Sequence, residues 1–197
     1  MKTMNGTPLR LLGVCALLGA SGFAGAHPYH VPGEGFAAGL AHPFLGLDHL
    51  LAMLAVGLWA AQLGGRWLWG IPLAFVAAML VGGALGFSGI ALPLTEPLVA
   101  TSVLILGLLI ARRVRLQWAG LLLAAGFALF HGLAHAAALP SGAGALAYAA
   151  GFAAATAVLH ATGIGLGVGM RSGILALRLA GASIALAGCW LLTGALA

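Results

Sequence analysis

Six apolar stretches follow one another along this chain with short gaps between them, at 43–63, 68–87, 94–111, 117–138, 144–169 and 173–195. Each approaches the roughly 20 apolar residues that a helix needs to cross a bilayer. With 62% hydrophobic and 6% charged residues, the chain has too few polar groups to cover a soluble domain of this size. The fold class expected is therefore all-α, a polytopic membrane protein of six transmembrane helices. Short connections further suggest that helices adjacent in sequence pack as neighbours.

Ahead of these stretches, the first 26 residues read as a cleavable signal peptide. Lys2 and Arg10 supply the charge, residues 11–20 the apolar region, and Ala24-Gly25-Ala26 the small-residue cleavage site. The competing reading is a retained first helix. Cys15 does not mark a lipoprotein, because Val14 stands where a small residue is wanted. Cleavage would leave residues 27–197 as one six-helix transmembrane domain, with Cys189 its only thiol.

The formal charge of +5 reports topology and not nucleic-acid binding. Arg66 lies between the first and second stretches, Arg112, Arg113 and Arg115 between the third and fourth, and Arg171 between the fifth and sixth, with Arg178 just beyond. The alternate loops carry no Lys or Arg. The positive-inside rule then puts both mature ends on the outer, periplasmic side of a cytoplasmic membrane. Trp59, Trp67, Trp69 and Trp118 fall at the inner interface on this reading, and Trp190 near the outer one, as aromatic belts do. The only lysine is Lys2, so no Walker A lysine exists and the chain is not an ATPase by itself.

Against that background a few polar residues stand out. His42-Pro43-Phe44-Leu45-Gly46-Leu47-Asp48-His49 carries two imidazoles and the sole Asp at the outer start of the first stretch. A charged side chain at bilayer depth costs about 2.5–3.5 kcal/mol on insertion scales, and ionisable groups there are functional candidates. Pro43 suits a helix start, and the helix dipole favours Asp48 near it, but the dipole does not account for the two histidines. In a continuous helix residues seven apart lie about 10 Å apart along the axis. His42 and His49 would then not share one ion unless Pro43 and Gly46 make the approach irregular.

His131 and His135 are four apart and project from one helix face, the spacing of a two-histidine metal clip. They lie in the outer half of their stretch, at a depth similar to the first motif. The bland alternative is a pair of core histidines bonded to carbonyls. Imidazole and carboxylate donors suit a borderline metal such as nickel, copper or zinc better than magnesium or calcium. The reading that follows is an approach path. Asp48 and His49 share an ion with His131 and His135, and His42 guards the way in. His160, deeper in the fifth stretch, reads equally as a relay or as a satisfied core residue. Glu96 reads equally as a supporting carboxylate or as an interfacial residue. His27 and His30, at the start of the mature chain, could capture metal, although a mobile tail explains them as well. Thr101, Ser102, Thr156 and Thr162 read as helix-packing hydroxyls. The glycines of the fifth and sixth stretches read as packing residues more readily than as gating ones.

The sequence resembles the HupE/UreJ family of bacterial nickel permeases associated with hydrogenase and urease maturation. The resemblance rests on His42-Pro43-x-x-Gly46-x-Asp48-His49 with the run that follows it to Ala60, and on Phe130-His131-Gly132-x-Ala134-His135. The signal peptide and the six stretches fit the family layout, so it covers essentially the whole chain. It implies a secondary permease carrying Ni²⁺, or cobalt or another divalent transition metal, across the bacterial inner membrane. It implies no catalytic cofactor. Hydrogenase or urease maturation proteins are the implied partners, and His42, Asp48, His49, His131 and His135 the matching positions. In one departure, the family's second motif commonly continues with Gly and then Glu, where this chain has Ala136, Ala137 and Ala138.

Protons compete with metal for imidazole, so uptake should weaken below about pH 6.5. Two other functions fit parts of the pattern. A membrane-embedded metal sensor or chaperone would use the same ligands. A rhomboid-like intramembrane serine protease would use Ser88 in Gly86-Phe87-Ser88-Gly89, but lacks an obvious later partner histidine. Paired histidines could also hold a haem, whereas a di-iron oxygenase would need more clustered ligands.

Overall fold

The computed structural model describes residues 35–197. The expected signal peptide, His27 and His30 lie outside the described residues. Seven helices follow in order: α1 (Gly35–Leu45), α2 (Leu47–Leu63), α3 (Trp67–Phe87), α4 (Thr95–Arg112), α5 (Trp118–Ala137), α6 (Ala145–Gly169) and α7 (Ile174–Leu196). Helices α3 to α7 are each long and apolar enough to cross a membrane. Helices α1 and α2 meet that test only when taken together, and they join at Gly46 in a bend of 82°, the geometry of a broken span or of a re-entrant segment. The chain is thus an all-helical, multi-pass membrane protein.

The first span corrects one expectation. Pro43 does not start the spanning helix. It lies inside α1, which begins eight residues earlier at Gly35. The lost proline N–H weakens the end of α1, and the chain turns at Gly46, which adopts an extended conformation at the N-cap of α2 (φ −101°, ψ 118°). Asp48 then occupies the first turn of α2, where the helix dipole favours it.

Helix α2 is the hub. It packs against α1, α3, α4, α6 and α7, and 12 of its 17 residues are buried. A helix apolar all round, such as its stretch from Leu50 to Ala61, belongs inside a bundle and not at its surface.

The most extensive pairings are α3 with α5, α4 with α7, and α6 with both α1 and α2. None of these pairs is adjacent in sequence; α1 with α2, α2 with α3 and α4 with α5 also touch, but less extensively, so the expectation drawn from short connections holds only in part. The cause is glycine register. In lipid, helices associate through close backbone approach and not through hydrophobic burial. A Cβ added at Gly82 would strike the Leu129 carbonyl, and one at Gly132 the Met79 carbonyl, so α3 and α5 interlock at two glycines. Gly57 and Gly163 do the same for α2 and α6, Gly39 and Gly151 for α1 and α6, and Gly107 and Gly181 for α4 and α7. Gly165 and Gly169, on the other face of α6, meet nothing within 4 Å.

The loops divide the bundle into two ends. The N-terminus of α2 and the C-terminus of α5 lie at the histidine end. Arg66, Arg112, Arg113, Arg115 and Arg171 lie at the other, the arginine end. Trp69 and Trp118 are exposed there and Trp190 at the opposite end, as aromatic belts require. Trp59 and Trp67 depart from that expectation, since both are buried. Trp59 Nε1–H donates to the Val114 carbonyl at 3.0 Å, tying α2 to the connection between α4 and α5. Trp67 stacks edge-on against Trp118, with the Arg66 guanidinium over both rings at 4.6 and 5.0 Å.

Candidate metal site

The bend at Gly46 folds the end of α1 back over the start of α2. His42 therefore reaches a place that a straight helix would deny it. Its ring centroid is 5.5 Å from that of His49 and 4.9 Å from that of His135. The His49 and His135 centroids are 4.6 Å apart. One ring nitrogen each of His42, His49 and His135 lies within 4.8 Å of the other two, so the three could hold a metal ion. Nitrogens bound tetrahedrally at about 2.0–2.1 Å from an ion stand roughly 3.4 Å apart, so closing on a metal requires movement of about 1 Å.

Asp48 supports this group without joining it. His49 Nδ1–H donates to Asp48 Oδ1 at 2.7 Å, and the His49 backbone N–H donates to the same oxygen at 2.7 Å. The carboxylate thereby fixes the His49 tautomer and leaves Nε2 with its lone pair. That nitrogen is buried and has no hydrogen-bond partner among the described residues. A carboxylate behind a ligating imidazole orients the ring and raises its basicity. Both ring nitrogens of His135 are likewise buried and unpartnered. Its ring stacks on Phe152 at 4.5 Å with an interplanar angle of 5°.

His131 lies beside the group and not within it, with its centroid 5.0 Å from that of His49. Ser102 Oγ–H donates to the Val99 carbonyl at 2.6 Å, so Ser102 can only accept from His131 Nε2–H, 2.9 Å away. His131 Nδ1 then carries the lone pair, buried and unpartnered. His160 is buried on α6 with both nitrogens unpartnered. The Phe75 ring touches both histidines, at 5.5 Å from His131 and 5.2 Å from His160. Glu96 is exposed in the first turn of α4 and has no ion-pair partner among the described residues.

The arrangement differs from the sequence expectation in three ways. His42 lies within the closest group of imidazoles. Asp48 faces His49. His131 occupies a neighbouring position with its own serine. Several contributors were not anticipated. Ser102, whose sequence context suggests a packing hydroxyl, bonds His131. Tyr148 packs 6.1 Å from His42, its hydroxyl buried and unpartnered. Tyr148, Phe152, Thr156 and His160 recur every four residues and all are buried, a spacing that marks one face of α6 and was visible in the sequence. Thr156 Oγ1 lies 3.0 Å from Met53 Sδ and 3.7 Å from Met79 Sδ on that face. Thr101 and Thr162 donate to carbonyls one turn back, as packing hydroxyls do.

Ser88 caps α3 by donating to the Leu85 carbonyl at 2.7 Å, and no imidazole bonds it among the described residues. A nucleophile needs a base within hydrogen-bond reach.

The model of the family described as "HupE / UreJ protein" matches residues 15–191. The chain is 47% identical over 164 residues to "Protein HupE" of Rhizobium leguminosarum bv. viciae, covering 82% of this chain and 86% of that protein. No solved structure matches it. A family match over most of the length, together with a relative of this similarity, leaves one assignment: the chain belongs to the HupE/UreJ family.

Proposed function

We propose that the protein is a secondary permease that imports nickel, or cobalt or another divalent transition metal, across the bacterial inner membrane to supply a metalloenzyme such as hydrogenase or urease. The observation that carries this reading is the convergence of His42, His49 and His135, from three helices, to within 4.8 Å in a membrane-spanning bundle. Three nitrogen donors with no oxygen among them favour nickel, copper, cobalt or zinc over magnesium or calcium. Family membership supports nickel among these. Unpartnered buried nitrogens are costly unless they receive something, and a partly dehydrated cation meets that need.

The arginine-rich loops support a cytoplasmic arginine end, so the histidine end faces the periplasm and captures the ion from outside. Asp48 holds His49 in its ligating tautomer. His131 and His160 continue the line of imidazoles towards the arginine end. The delivered ion passes to maturation proteins of the client enzyme.

The test is uptake of radioactive nickel by cells with and without the gene, with cobalt, zinc and copper as competitors. Expression of the gene should raise accumulation, and His49→Ala or Asp48→Ala should abolish the increase while the protein stays folded in the membrane. Accumulation at the wild-type level in either variant would sink the site assignment.

A further inference from the structure

The arginine end holds a second constellation that metal capture does not use. An open pocket of about 320 Å³ lies under the C-terminus of α2, and its polar wall is made by Gln62, Arg113, Arg115 and Arg171 with the backbone of Gly64 and Gly65. No carboxylate lines it among the described residues. Arg115 Nη2 donates to the Leu63 carbonyl at 2.9 Å and Arg171 Nη2 to the Ala61 carbonyl at 3.1 Å. These bonds hold both guanidiniums at the rim and leave their other N–H groups free. Gln62 lines the same pocket, and both polar atoms of its amide are buried without a partner. Gly64 (φ 68°) and Gly65 (φ 54°) form the turn at its edge. Arg113 adopts the left-handed conformation (φ 55°, ψ 40°), which is unfavourable for a residue with a Cβ.

Positive-inside topology accounts for arginines in these loops. It does not account for three of them around one pocket, nor for a buried amide without a partner. Arg66, at the same end, is instead placed over Trp67 and Trp118. Guanidiniums that lack carboxylates match phosphate oxygens in charge and geometry.

We propose that this pocket binds a phosphate-bearing anion, held by Arg113, Arg115 and Arg171 with the Gln62 amide as a further donor. The phosphate comes either from an anionic phospholipid headgroup or from the free ion. Binding there would neutralise a cationic mouth and does not depend on the metal reading.

The experiment uses the purified full chain in detergent. Native mass spectrometry after exchange into phosphatidylglycerol or phosphatidylcholine reads lipid retention. Thermal unfolding in rising inorganic phosphate, against chloride at matched ionic strength, reads the free ion. One bound phosphatidylglycerol, or saturable stabilisation by phosphate, supports the site, and the arm that responds names the source. Gln62→Glu places a negative charge in the pocket while keeping every arginine, and should weaken binding at least ~10-fold. Arg113→Gln should weaken it as well, and provides the answer should Gln62→Glu not fold. Arg66→Gln, outside the pocket, should bind as wild type. Absence of binding in both arms, or wild-type binding by folded Gln62→Glu or Arg113→Gln, would overturn the proposal.

Discussion

Asp48 Oδ1 stands 2.7 Å from His49 Nδ1, and this bond decides which nitrogen of His49 can meet a metal. A neutral imidazole has one donor and one acceptor nitrogen. With Nδ1–H committed to the carboxylate, Nε2 is the free base. Replacing the carboxylate with an amide keeps the shape and removes the charge. Asp48→Asn should therefore weaken nickel binding to the purified protein by roughly 10- to 100-fold, the usual effect of losing a carboxylate behind a ligating histidine. Titration calorimetry on folded protein measures this directly. Affinity equal to wild type would mean that the negative charge of Asp48 does not strengthen His49 as a ligand.

Gly46 gives a second prediction from the same corner. A Cβ there would lie 2.7 Å from Asp48 Oδ1 and 3.3 Å from His49 Nδ1. The carboxylate would have to move, and the Asp48–His49 bond with it. Gly46→Ala should leave the bundle assembled, since helices α3 to α7 do not depend on this residue, yet lose most nickel uptake. Uptake at the wild-type rate by Gly46→Ala would show that the new methyl is accommodated without disturbing the pair.

His42 separates a three-histidine group from a clip made by α2 and α5 alone. It comes from α1, across the 82° bend, and lies as close to His135 as His131 does to His49. His42→Ala should lower nickel affinity by an amount similar to His135→Ala. A much smaller loss in His42→Ala would return it to the role of guarding the approach.

The spans were legible because bilayer thickness sets run length, and α3 to α7 begin and end within a residue or two of the apolar stretches. The shared face of His131 and His135 was legible from their spacing of four. The bend at Gly46 was not, because Pro43 fits a helix start as well as a helix end. The helix pairing was not either. Gly82 and Gly132 interlock α3 with α5, but 32 glycines offer many registers and only the folded bundle selects among them. The bond from His131 to Ser102 joins residues 29 apart on α5 and α4, and spacing within one helix could not reveal it.

Glycine register makes its own prediction. On α5, a side chain at Gly132 would collide with the Met79 carbonyl and the Gly83 amide. Overpacking of this kind costs about 1–3 kcal/mol. Gly165 on α6 meets nothing, and a helical glycine gives up about 0.5–1 kcal/mol relative to alanine. Gly132→Ala should lower the unfolding temperature in detergent, and Gly165→Ala should leave it level or raise it. Equal effects from the two variants would count against the close contact of α3 with α5.

Ser102 and His131 should be coupled energetically. Ser102→Ala leaves the His131 Nε2–H buried without an acceptor, at a cost of about 1–3 kcal/mol. His131→Ala removes the orphan together with the ring, so a second change at Ser102 should then cost little. A double-mutant cycle on unfolding in detergent tests this, because residues in one hydrogen bond show interaction energies of about 0.5–3 kcal/mol, whereas independent sites add to within about 0.3–0.5 kcal/mol. The readout for function differs from that for stability. Freed from Ser102, His131 can take the other tautomer and turn Nδ1 from acceptor into donor, so Ser102→Ala should slow nickel uptake even at temperatures where the variant is fully folded. Additive stability effects with unchanged uptake would reduce Ser102 to the packing hydroxyl that its sequence suggests.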